Sequence, residues 1–184
     1  MIKTSLLRLS KCGSWICNTQ HFHLLMKHFD TTWETIDESE ISFIDILELT
    51  DLEFALDCTS SRPDLHKTWR EFAVWCCDPI AFYITLPSAQ ISFTSAKKYV
   101  NDEISLEELT KFLKIAFYDK HNDCSYSQGL ADCANSVAID SANPDIDTCV
   151  TDCFRTAHLG MISIGLLTKS FESKQRAKFI SLIS

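Results

Sequence analysis

Glycine and proline are scarce in this chain, at four each in 184 residues. Sandwiches and barrels built from short strands need turn residues roughly every 8–12 positions, so the shortage excludes them and leaves helices as the default. Long apolar runs are missing as well. The longest uncharged one, Met161 to Leu167, is far short of the roughly 20 residues that a membrane-spanning helix needs. A secretory leader is not expected, because Lys3, Arg8 and Lys11 interrupt the apolar residues that follow Met1. The expected location is therefore the cytoplasm. Disorder is excluded by a hydrophobic fraction of 46%, and the length fits one domain, or two small ones sharing a core.

Basic residues are absent from two stretches. Residues 30–61 hold Asp30, Glu34, Asp37, Glu38, Glu40, Asp45, Glu48, Asp51, Glu53 and Asp57 with no Lys or Arg, and residues 121–154 hold six Asp and no base. The two ends are basic, each at +4, and residues 62–120 balance. The formal charge of −8 thus hides a segment of −10. Such a field attracts basic partners and repels nucleic acid and anionic lipid. Asp30, Glu34, Asp37, Glu38, Glu40, Asp45, Glu48, Asp51 and Glu53 are accordingly the candidate partner-binding residues. The expected partner is a protein with a basic surface, with no direct nucleic-acid or membrane contact.

Enzyme signatures are missing too. There is no Gly-rich phosphate loop with Lys, no His-Glu-x-x-His and no nucleophile elbow. Ser95-Ala96-Lys97-Lys98 matches a bare Ser-x-x-Lys without its companion motifs. No catalytic residue is assigned, no cofactor is expected, and the chain reads as a non-enzyme. Nine cysteines, an odd number, point to reduced thiols used as small buried apolar groups rather than to a disulfide framework. Cys133, Cys149, Cys153 and His158 are the set that zinc would use, giving a Zn-binding structural regulator as one alternative function. No Cys-x-x-Cys knuckle accompanies them, and His158 lies off the cysteine stripe, so no metal ligand is assigned.

What is present is helical periodicity with clear punctuation. Ser5 to Cys17 predicts a short helix and a turn at Gly13, and His21 to Phe29 a second helix. Thr31-Thr32-Trp33-Glu34 fits a capping box and predicts a third helix from there. Its apolar face would carry Trp33 and Ile36, continuing to Ile41, Phe43, Ile44, Leu47 and Phe54. Pro63 marks a boundary between an N-terminal helical subdomain, 1–61, and a main bundle, 62–184. Leu65, Trp69, Phe72, Ala73, Cys76 and Ile80 form a stripe that Pro79 should kink or end near Asp78. Ser88 to Val100 predicts a helix, although Ile91, Phe93 and Thr94 would also tolerate a strand, and Ser105-Leu106-Glu107-Glu108 is a capping box opening another helix to about Lys120. Ser125–Ala142 and Asp147–Leu167 carry small residues on one face, with Cys149, Cys153, Ala157, Gly160 and Ile164 at helical steps, and predict a tight antiparallel hairpin. Ser170 to Ile183 predicts a closing helix with Phe171, Phe179, Ile180 and Ile183 inward. The fold expected is all-α, an irregular bundle or short solenoid of about eight helices centred on the small-residue hairpin.

Two stretches carry a family resemblance. Phe72-Ala73-Val74-Trp75-Cys76-Cys77-Asp78 followed by Ser95-Ala96-Lys97-Lys98-Tyr99-Val100-Asn101-Asp102-Glu103-Ile104-Ser105-Leu106-Glu107-Glu108-Leu109 resembles Ala-rich all-α immunity proteins of bacterial toxin systems. Arg155-Thr156-Ala157-His158-Leu159-Gly160-Met161-Ile162-Ser163-Ile164-Gly165-Leu166 resembles their late helix. Related patterns occur in phage and prophage helical proteins, whose short N-terminal helices are similar to residues 1–60. The resemblance spans residues 65–167 and consists of packing motifs, with Cys, Ser and Asp at many family Ala positions and Asn-Asp-Glu where Gly-Glu is usual. It implies a protein inhibitor that neutralises a toxin. An alternative is a phage-encoded anti-defence (anti-CRISPR-like) inhibitor of a nucleic-acid-binding nuclease. No family catalytic residue is there to transfer.

Overall fold

The computed structural model describes residues 1–12, 16, 19–122, 129–146, 148–163, 165 and 168–184. The expectations for Gly13, Trp15, Cys17, Ile164 and the first residues of the Ser125 helix lie outside the described residues. The chain is all-α, with ten α-helices among the described residues and one two-stranded sheet. It divides into two compact units: Met1–Asp64 with Phe179–Ser184, and Leu65–Lys178.

The first unit opens with β1 (Lys3–Ser5), which the sequence analysis placed in no strand. It pairs antiparallel with β2 (Glu40–Ser42), Lys3 opposite Ser42 and Ser5 opposite Glu40. Ser5 then caps α1 (Leu6–Lys11), its hydroxyl accepting from the Arg8 amide at 3.2 Å. Thr19 caps α2 (Gln20–His28) in the same way at 3.1 Å. α3 (Phe43–Leu49) starts in a reciprocal capping box of Ser42 and Asp45, and α4 (Leu52–Asp57) starts under the Asp51 carboxylate, which accepts from the Phe54 amide at 2.8 Å. Leu9, Phe22, Leu25, Ile41, Phe43, Ile46, Leu47 and Phe54 form the core, with Phe179 edge-on to Phe43 at 6.4 Å.

The helix expected at Thr31 does not form. Residues 33–35 make a turn instead, in which Thr31 meets Thr35 hydroxyl to hydroxyl at 3.1 Å and Thr32 donates to the Glu34 carboxylate at 2.7 Å. Glu34 is thereby engaged by its neighbour's side chain and not by the backbone amide a capping box requires. Trp33, expected inward, is 49% exposed.

In the second unit α5 (His66–Cys77) buries Trp69, Phe72, Ala73 and Cys76, as its stripe predicts. Pro79 ends it by removing a backbone donor, and the chain tightens into a 3-10 helix over Asp78–Tyr83. α6 (Pro87–Val100) places Pro87 in its first turn. α7 (Leu106–Asn122) opens in the predicted capping box, with the Ser105 amide donating to Glu108 at 2.8 Å and the Glu108 amide donating back to the Ser105 hydroxyl at 3.2 Å.

The small-residue hairpin forms from α8 (Leu130–Asp140) and α9 (Cys153–Ser163), the latter preceded by a π-helical turn, Thr148–Asp152. It is antiparallel: Cys153 donates its thiol to the Val137 carbonyl at 3.4 Å, while Gly160 lies against Cys133 and Leu130. A methyl group at Gly160 would stand 3.3 Å from the Cys133 Cβ, so glycine sets how closely these helices approach. α10 (Thr168–Ile183) buries Phe171, Gln175, Phe179 and Ile183, four residues apart each time. Ile180, expected inward, is 37% exposed, because the true stripe runs through Gln175.

Candidate functional site

All nine candidate carboxylates, Asp30, Glu34, Asp37, Glu38, Glu40, Asp45, Glu48, Asp51 and Glu53, are exposed, whereas Asp57 is buried. Folding does not leave them equivalent. The β1–β2 pairing carries Lys3 to Glu40, 2.8 Å apart, and the start of α1 carries Arg8 to within 3.8 Å of Glu38, which also accepts from the Ser5 hydroxyl at 2.9 Å. Two of the bases at the N-terminus are therefore folded onto the acidic segment. The Lys3 ammonium holds the Glu40 carboxyl below its usual range, and Glu40 raises Lys3 in turn.

Other carboxylates serve local structure. Asp45 and Asp51 cap α3 and α4, and Asp51 also lies 3.4 Å from His21. Hydrogen bonds from Ser39 to Asp37 and from Thr32 to Glu34 hold both carboxyls below the usual range, so both are ionised at neutral pH. Asp30, in a left-handed conformation with φ 48°, and Glu48 have no side-chain hydrogen-bond or ion-pair partner among the described residues. Asp30 and Asp37 line one groove of about 270 Å³, whose other walls include Thr31, Thr35 and Ser39 with Leu6, Phe29 and Ile41. The structure thus brings Asp30 and Asp37 together, sets Asp45 and Glu48 one turn apart on α3, and leaves Asp51 and Glu53 at the start of α4.

The zinc set does not assemble. Cys149 and Cys153 are buried, Cys133 is partly buried, and His158 faces Glu172 at 3.5 Å. Among the described residues no three His, Cys, Asp or Glu side chains come close enough to hold a metal ion. The thiols instead line the seam between helices. Burial pushes Cys76 up to about 12 and also raises Cys77 and Cys153 well above an ordinary thiol. Cys149 moves the other way: burial pushes it up, but its interactions with the neighbouring Cys153 side chain and the Arg70 guanidinium outweigh that and hold it below an ordinary thiol.

Arg70 is the residue that sequence reasoning missed. It is fully buried, and its guanidinium donates to the Ser141 carbonyl at 3.0 Å and twice to the Asn143 carbonyl, at 2.9 and 2.8 Å. These carbonyls end α8, so the cation closes the negative end of that helix while stacking over Tyr99 at 5.3 Å. The signal was a second buried row on α5, Arg70, Ala73, Val74 and Cys77, beside the stripe that the sequence made obvious. Asn135 plays a similar role, accepting from the Thr85 and Leu86 amides at 2.9 and 3.1 Å and so fixing the turn into α6.

No helix among the described residues is long and apolar enough to cross a membrane. No family model matches this chain, and no curated protein and no solved structure is significantly similar to it.

Proposed function

We propose that this chain is a non-enzymatic inhibitor that binds another protein through the acidic surface of its N-terminal unit and neutralises it, working in the cytoplasm. The observation that carries the reading is a 32-residue stretch without Lys or Arg, 30–61, in which nine of ten carboxylates are exposed. Lowered carboxyl pKa values at Glu34, Asp37 and Glu40 keep that surface charged under mildly acidic conditions as well. The partner is a protein with a basic surface, either a toxin, in line with the resemblance of residues 65–167 to immunity proteins, or a defence nuclease whose basic groove normally holds nucleic acid. The described cysteines are all free thiols, in keeping with a reducing compartment.

Charge steering predicts an association rate that falls steeply with salt. The test is capture of the partner from the source cell, followed by binding of the purified pair at low and high ionic strength. Glu34→Lys, Asp37→Lys, Glu48→Lys and Glu53→Lys together should abolish binding, since none of these residues caps a helix. Retained affinity in that variant, or a salt-independent rate, overturns the reading. A toxin gene beside this one would identify the immunity role, and neighbouring phage structural genes the anti-defence role.

A further inference from the structure

α6 and α7 bury Ala89, Phe93 and Ala96 on one side and Leu109, Leu113 and Ala116 on the other. Along the outer side of this pair runs an open groove of about 570 Å³, walled by α6 and by Phe112 of α7. The α6 wall uses Pro87, Ile91, Thr94 and Lys98, which recur at helical steps on one face. At 1.5 Å per residue the wall is about 16 Å long, or three helical turns. Ile91 is 46% exposed, Phe112 36%, and Ile115, one turn beyond Phe112, 56%. Scattered apolar residues on a surface are ordinary, but here large ones face each other across a groove of defined length.

The charge in the groove is as telling as its apolar walls. Among the described residues lining it, Lys98 is the sole ionised group. Its neighbours are neutralised, Lys97 by Asp78 at 2.6 Å and Lys111 by Glu107 at 3.0 Å. Lys98 has no such partner among the described residues. We infer that the α6–α7 groove is a docking site for an amphipathic helix of a partner protein, about three turns long. Such a helix lays apolar side chains at i, i+3 or i+4 and i+7 against Ile91 and Phe112 and brings an acidic residue to Lys98. This surface belongs to the second unit, and it selects the opposite charge from the acidic N-terminal surface. It therefore does not rest on the proposed inhibitor role.

The test uses the full chain and three labelled 16-residue probe peptides. One is an amphipathic helix with Leu on one face and Glu on its flanks, one carries Lys in place of Glu, and one is the acidic sequence scrambled. Fluorescence anisotropy measures affinity, and amide shift mapping locates the site. The expected result is that the acidic helix binds at least tenfold more tightly than the other two, with shifts confined to α6 and α7. A formal charge of −8 on the chain favours the basic peptide, so an acidic preference has to come from the groove itself. Ile91→Glu should abolish binding, and Lys98→Glu should reverse the preference towards the basic peptide. Both positions are exposed, and an unchanged unfolding midpoint confirms that each variant folds. Equal affinities, binding indifferent to both variants, or shifts mapping elsewhere overturn the proposal. So does a dimer in sedimentation that Ile91→Glu dissolves, since the occupant would then be a second copy of the chain.

Discussion

Replacing Arg70 by Met keeps most of the side-chain stem in the core and removes the guanidinium. Three hydrogen bonds disappear with it, to the carbonyls of Ser141 and Asn143 at 2.8–3.0 Å. The Ser141 carbonyl lies on a fully buried residue and keeps only the weak Cys149 thiol at 3.5 Å as a donor, while the half-buried Asn143 carbonyl loses both of its guanidinium bonds; a buried acceptor deprived of its donor costs about 1–3 kcal/mol. Against this, the substitution relieves a desolvated cation whose Nε has no partner. A hydrogen bond made by a charged group contributes about 1.5–3 kcal/mol, and setting the lost bonds against the relieved Nε gives a net expectation of about 2–4 kcal/mol. Arg70→Ala should lose about 2 kcal/mol more through the cavity it leaves. With a urea m-value of about 2 kcal/mol/M, Arg70→Met should move the midpoint down by about 1–2 M without changing the slope. A second readout is electrostatic. The guanidinium stands 3.7 Å from the Cys149 sulfur and helps hold that thiol below its ordinary pKa, so Arg70→Met should move the Cys149 titration upward, followed by its 13Cβ shift. A variant as stable as the parent would refute the reasoning, because the desolvation of the cation would then outweigh all three of its bonds.

Alkaline pH should loosen the second unit. Cys76, Cys77 and Cys153 have pKa values raised by burial, so they stay protonated in the fold while the unfolded chain ionises. Their contribution is complete below the unfolded thiol value near 9 and is lost above it, at about 1.4 kcal/mol per thiol by pH 10. Urea midpoints at pH 8 and pH 10 under reducing conditions should differ by more in the parent than in Cys76→Ala, and equal differences would show that the Cys76 thiol titrates normally. In the hairpin, Gly160→Leu should cost about 1–3 kcal/mol, because its Cβ meets Cys133 and Ile80 at 3.3 Å. Gly160→Ala should be nearly neutral in thermal melts, its helix propensity offsetting the contact. A neutral Gly160→Leu would mean that the two helices do not meet where glycine stands.

Elements whose signals lie within three or four residues were readable from the chain. The Ser105–Glu108 capping box and the stop at Asp78-Pro79 work through near neighbours, which no distant contact has to supply. The same logic misled at Thr31, where a capping-box spelling is satisfied equally well by side chains bonding one another in a turn. The inward face of α10 was misjudged by one residue, because Ile180 outranks Gln175 in hydrophobicity, while Gln175 donates to the Cys76 sulfur at 3.7 Å inside the bundle.

The amino-acid sequence by itself determined that the chain is helical, where most helices begin and end, and that its acids and bases fall in separate blocks. Tertiary structure decided what those blocks do. Strand pairing across 35 residues folds Lys3 and Arg8 onto Glu40 and Glu38, so part of the acidic segment is neutralised by the basic end that seemed remote from it. Burial of Arg70 depends on the end of α8, about 70 residues further along the chain, arriving with free carbonyls. Local bonding encodes helices and their caps. Which charges meet, and which apolar faces such as the α6–α7 groove stay uncovered, depends on contacts that exist only after the chain has closed on itself.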